Sequence, residues 1–168
     1  SMASHDDDVG NGEANVASLP LHEALRASAS LDTITELLQS HPEAVRTSDE
    51  NGYFPFHVAL AKHADVEIIV KLLEMYPEVG EKTNYEFNCG AVLHFAIRQA
   101  CSLQIIQAII RQCPKAASTK CDDFFPLHLA LTRSSTAAIS SDDIILEILR
   151  AFPAATKFRD GISRLPMH

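Results

Sequence analysis

The amino-acid sequence predicts an all-α fold, a helical solenoid of stacked helix-turn-helix repeats with projecting turns. Two interleaved signals carry this reading. Leu19-Pro20-Leu21-His22 recurs as Phe54-Pro55-Phe56-His57, Ala91-Val92-Leu93-His94, Phe125-Pro126-Leu127-His128 and Leu165-Pro166-Met167-His168, with the histidines 35, 37, 34 and 40 residues apart. An apolar pair (Leu37-Leu38, Leu72-Leu73, Ile109-Ile110, Ile148-Leu149) is followed four residues after its second member by Pro42, Pro77, Pro114 or Pro153. Self-similarity at a period of roughly 20–50 residues is the mark of a repeat architecture. The 168 residues, 46% hydrophobic and 21% charged, suit one folded domain rather than a disordered chain.

Each repeat reads as two short helices and a loop. Proline is well placed at the first helical position, where its missing N–H is not needed, so Pro20, Pro55 and Pro126 mark the start of helix A. Ser30, Asp65, Ser102 and Ser141 stand seven residues before the apolar pairs, the position of an N-cap for helix B. Ile34, Ile69, Ile106 and Ile145, with the pairs, give helix B one apolar stripe. A proline disfavours helix at the residue before it, so helix B should end by His41, Tyr76, Cys113 and Phe152. A non-helical stretch of about ten residues then leads to the next repeat. Histidine to proline is 20 residues in three copies and 25 in the fourth, which places the extra residues in the turn at 133–141. Two helices of about ten residues cannot bury their apolar faces alone, so neighbouring repeats must stack.

On these residues the chain resembles the ankyrin repeat family across 19–168: the P-L-H-x-A core, the L-L pair, and Asp49…Gly52 in the turn, best matched at Asp49-Glu50-Asn51-Gly52-Tyr53-Phe54-Pro55-Phe56-His57-Val58-Ala59. The repeats lie at about 19–53, 54–90, 91–124 and 125–164, with the start of a fifth at 165–168 and a disordered leader at 1–18 whose Ser1-Met2 reads as a cloning remnant. The family's threonine, three residues before the histidine, is replaced by Leu19, Phe54, Ala91, Phe125 and Leu165, so the helix A hydroxyl cap is absent. The chain stops inside its fifth motif. This predicts a fragment of a longer protein, monomeric, with the last repeat's face left uncovered.

The resemblance implies a protein-interaction scaffold that binds a partner on a concave face made by the turn tips and the exposed side of helix A. The contact positions it implies are Glu50, Asn51, Tyr53, Ala61 and Lys62 in repeat two, Phe87, Asn88, Gly90, Arg98 and Gln99 in repeat three, and Cys121, Asp122, Phe124, Thr132 and Arg133 in repeat four. Tyr53, Phe87 and Phe124 are candidate aromatic anchors, of a residue class that often dominates interface energy. Arg26, Lys62, Arg98 and Arg133 place one cation near the end of each helix A. They form either a basic ladder for an acidic or extended partner segment or a set of charges complementing the helix dipoles. The alternative function is a regulatory or substrate-docking domain of a multidomain enzyme.

No catalysis, cofactor or metal is expected. The repeat histidines would stand ~8–10 Å apart on packed helices, too far to share one zinc ion, and each suits a structural role toward the neighbouring turn. His5, His41 and His63 have no partner at ligand spacing. The sequence holds no G-x-S-x-G, G-x-x-x-x-G-K-[ST] or G-x-G-x-x-G. A net charge of −8 disfavours nucleic acid, and no apolar run is long enough for a membrane span. Cys89, Cys101, Cys113 and Cys121, spaced 12, 12 and 8 apart, read as free thiols of a reducing compartment, cytoplasmic or nuclear and not secreted. Cys89 and Cys121, sitting in turns, are the two expected to be exposed.

Overall fold

The computed structural model describes residues 19–81, 91–121, 124–134 and 141–158. It is all-helical, and among the described residues there is no strand. The helices are α1 (Pro20–Arg26), α2 (Leu31–Ser40), α3 (Pro55–Ala61), α4 (Val66–Met75), α5 (Val92–Arg98), α6 (Leu103–Gln112), α7 (Pro126–Ser134) and α8 (Ser141–Ala151). They pair as α1 with α2, α3 with α4, α5 with α6 and α7 with α8. Within one row α1 packs on α3, α3 on α5 and α5 on α7; a second row runs α2, α4, α6, α8. The core lies between the rows and is continuous from Leu21 to Ala155.

Helix starts follow the sequence. Pro20, Pro55 and Pro126 open α1, α3 and α7. Leu19, Phe54 and Ala91 precede α1, α3 and α5 with no side-chain cap, as the missing threonines predict. Ser30, Asp65 and Ser102 precede α2, α4 and α6, but only Ser30 makes a capping bond, its Oγ accepting from Thr33 N at 3.3 Å. Ser30→Ala should therefore lower stability by ~0.5–1 kcal/mol. Ser102→Ala should change it by less than about 0.5 kcal/mol. Urea midpoints of the two variants check the contrast, and equal losses would contradict it.

Ile34, Ile69, Ile106 and Ile109 are completely buried, as are Leu72 and Leu73 in the second repeat, which is covered on both sides. Fully burying one such side chain contributes ~1.5–3 kcal/mol. Leu37, in the first repeat, instead lines an open apolar cleft of about 300 Å³ with Leu19, Pro20 and His41.

Between the two helices of a repeat the chain turns through a left-handed residue that is not glycine: Ser28, His63 and Ala100, with φ of 55°, 51° and 54°. Each corner closes with a pair of bonds. The N–H groups of Ser28, His63 and Ala100 donate to Leu25, Leu60 and Ile97 O at 3.2, 3.1 and 3.1 Å. Those of Ala29, Ala64 and Cys101 donate to Ala24, Ala59 and Ala96 O at 2.9, 2.9 and 3.1 Å. This six-to-one plus five-to-two pattern satisfies the terminal carbonyls and offsets the ~1–2 kcal/mol that a Cβ costs in this conformation. The alanines are those that follow the repeat histidines by two, and Ala59 and Ala96 are completely buried.

The structure corrects three boundaries. Helix B does end at His41, Tyr76, Cys113 and Phe152, but the next residues are not a plain loop. Pro42–Arg46, Pro77–Glu81, Pro114–Ser118 and Pro153–Lys157 are 3₁₀ turns. The proline that stops one helix supplies the fixed φ that starts the next turn. Ser141 is the first residue of α8 rather than its cap, and α7 extends to Ser134, taking up part of the fourth repeat's extra length. The 1–18 leader and the fifth motif, Leu165–His168, lie outside the described residues. On the last described repeat, Leu146 is 47% and Phe158 43% exposed. Among the described residues no helix is long and apolar enough to cross a membrane.

Candidate functional site

The turn before α3 is built by Asp49. Its N–H donates to Tyr53 O and Gly52 N–H donates to Asp49 O, both at 2.9 Å. Gly52, at φ 73°, takes the left-handed position. Asp49 Oδ1 accepts from the N–H groups of Asn51 at 3.0 Å and Tyr53 at 2.8 Å, a local side-chain turn of the type aspartate favours. Its other oxygen meets the Arg26 guanidinium of the preceding repeat. The carboxylate is 4% exposed and the guanidinium 45%, so the charge drawn out of water is neutralised by one that stays in it. Glu50 and Asn51 form the exposed tip.

The repeat histidines tie each turn to the repeat before it. His22 Nε2 lies 2.8 Å from Tyr53 O, His94 Nε2 2.8 Å from Phe124 O, and His128 Nε2 3.2 Å from Phe158 O. A carbonyl only accepts, so Nε2 carries the hydrogen in all three rings. In His128 the other nitrogen, Nδ1, accepts from Phe125 N at 3.3 Å. An N3 side chain thus reaches back to the N-cap N–H and does part of the work of the missing hydroxyl at the start of α7. Burial lowers the pKa of His22, against the raising effects of its bond to Tyr53 and of Asp49.

His57 differs. It is buried, and neither ring nitrogen has a hydrogen-bond partner among the described residues. The next turn, which holds the matching position, lies within 82–90, outside the described residues. Tyr53, Phe54, Phe56 and Phe95 surround the ring, Phe95 edge-on at 5.1 Å between centroids. Desolvation in this aromatic setting pushes its pKa down to about 4, with Asp49 pulling weakly the other way.

Residues from three repeats converge on one cleft of about 430 Å³. Arg26, Asn51, Tyr53, Ala61, Lys62 and Gln99, all expected at a binding face, line it. Asp49, His57, Val58 and Phe95 complete it. Tyr53 is half-buried, its ring 6.0 Å from that of Phe95. Lys62 is exposed at the end of α3, and Arg98 and Gln99 are half-exposed at the end of α5. Phe124 is half-buried, 6.4 Å from the His128 ring, and its N–H and C=O exchange bonds of 3.0 Å with Cys121. Thr132 is exposed on α7, its hydroxyl donating to Leu129 O at 2.8 Å. Phe87, Asn88, Asp122 and the Arg133 side chain lie outside the described residues. Of the cations expected as a ladder, Arg26 is thus committed to Asp49, whereas Lys62 and Arg98 form no ion pair among the described residues.

Sequence reasoning placed Asp49 in the turn and His57 in the repeat motif, and assigned neither to the face. The Arg26–Asp49 pair joins residues 23 apart and becomes visible only once α1 is stacked on the next turn. Cys121, expected to be exposed, is buried, and its main chain bridges to Phe124. Burial also raises the Cys101 thiol to about pKa 11, leaving it protonated and unreactive. Among the described residues no three histidine, cysteine or acidic side chains are grouped to hold a metal ion. No family model matches the chain, and no curated protein matches it.

Proposed function

We propose that this chain is an ankyrin-type repeat module that binds another protein on the face formed by its turn tips and the exposed ends of its first-row helices. One observation carries the reading: side chains from three successive repeats line a single cleft beside the Asp49 turn. Supporting the family assignment are the repeating pairs of short helices and the histidine-to-carbonyl bonds from one repeat to the next turn. The 3₁₀ turn after each second helix marks a divergent form. The face serves as a scaffold surface rather than a reaction centre: the Asp49 carboxylate is taken up by main-chain N–H groups and Arg26, and the His57 ring, though it lines the cleft, is nearly inaccessible. Among the described residues, Cys101, Cys113 and Cys121 are buried and form no disulfide with one another, which fits a protein of a reducing compartment, cytoplasmic or nuclear.

Photo-crosslinking amino acids placed at Glu50 and Ala61 on this face, and at Glu36 and Glu74 on the second-row helices, test the assignment in native extract. All four positions are exposed. Cross-links to a discrete partner are expected from Glu50 and Ala61 and not from the other two. Equal capture from Glu36 and Glu74, or none from Glu50 and Ala61, would overturn the reading.

A further inference from the structure

We propose that the cleft flanked by Tyr53, Lys62 and Gln99 receives a carboxylate side chain from an extended acidic segment of the partner. This rests on the interaction reading above and names the chemistry of the ligand. The chain as a whole carries −8, yet the cleft is locally cationic. The carboxylate that lines it, Asp49, is nearly inaccessible and already neutralised by Arg26. Lys62 stands on the wall and, like Arg98 one repeat further, forms no ion pair among the described residues. Asn51 and Gln99 bring primary amides able to donate to an incoming oxygen. Tyr53, Val58, Ala61 and Phe95 supply an apolar floor for the methylene stem of a glutamate. The volume, about 430 Å³, lies in the range of small-ligand sites and holds a side chain rather than a folded surface.

Spacing makes the ligand specific. Lys62 and Arg98 end neighbouring first-row helices, which pack ~10 Å apart. A segment in the extended polyproline II conformation advances ~3.1 Å per residue and returns to the same face every third residue, so acidic residues three apart match successive cations. A ligand of the same charge with its acids adjacent does not.

The probes are capped nonapeptides with glutamate at every third position, with the same glutamates clustered at one end, and with glutamine throughout; inorganic phosphate serves as a simple anion. Amide chemical-shift titration of the full chain reads binding. The spaced glutamate peptide is expected to bind ~10-fold more tightly than the others, with shifts centred on Tyr53, Lys62 and Gln99. Lys62→Gln should weaken it several-fold, whereas Lys71→Gln, on the second row in α4, should leave it unchanged. No saturable shift with the spaced peptide, equal binding of the clustered peptide or of phosphate, or equal losses in the two lysine variants would each overturn the proposal. If cross-links from Ala61 persist while the spaced peptide fails to bind, the ligand assignment falls alone. If both fail, the interaction reading falls with it.

Discussion

Acidification from pH 7 to pH 4 should cost the fold about 3 kcal/mol through His57 alone. In the unfolded chain this imidazole takes up a proton near its ordinary pKa of 6.5, whereas in the folded chain burial delays protonation to about 4. Between those values the unfolded state binds more protons than the folded one, so stability rises with pH across the window. It is fully present above about 6.5, falls as pH drops, and stops falling on this account below about 4. His22, also lowered by burial, adds in the same direction. Urea midpoints between pH 7.5 and 4 measure the slope. His57→Gln should remove much of it, separating the histidine from carboxylates that titrate over the lower part of the range. A His57 ring resonance titrating near pH 6.5, with a slope unchanged in the variant, would contradict the assignment.

Replacing Asp49 with alanine should destabilise the chain by ~2–3 kcal/mol, because the N–H groups of Asn51 and Tyr53 lose their acceptor in a turn that is partly closed to water. Asp49→Asn keeps a carbonyl oxygen at that place and should cost about half as much. Arg26→Gln should cost less than ~1 kcal/mol, since the guanidinium is well exposed and its pair with Asp49 is partly screened. Equilibrium unfolding of the three variants orders them. A loss for Arg26→Gln as large as that for Asp49→Ala would mean that the ion pair, rather than the main-chain bonds, holds the turn.

Where local rules and tertiary packing agree, the sequence was readable. Pro20, Pro55 and Pro126 announce first helices because φ is fixed by the ring. His41, Tyr76, Cys113 and Phe152 are legible as helix ends because the proline after each excludes helical backbone. The 3₁₀ turns were not legible, since proline is as suitable for starting such a turn as for stopping a helix. Left-handed Ser28, His63 and Ala100 carry no glycine to give them away, and their conformation follows from how closely the two helices of a repeat must be joined. Of the cleft, Asn51, Tyr53, Lys62 and Gln99 were legible through the repeat register. Nothing local marks Phe95 as part of the cleft or Asp49 as the partner of Arg26.

The imidazole bonds between repeats have a direction. In each of the three seen among the described residues, a ring N–H on one repeat donates to a carbonyl in the turn that follows. A lesion in a turn therefore orphans a donor upstream of it, while the repeat downstream keeps its own imidazole bond. Damage to such a turn is felt on its N-terminal side. Amide exchange after a single turn is loosened would accelerate first in the helix before it, as in a zipper whose teeth all face one way.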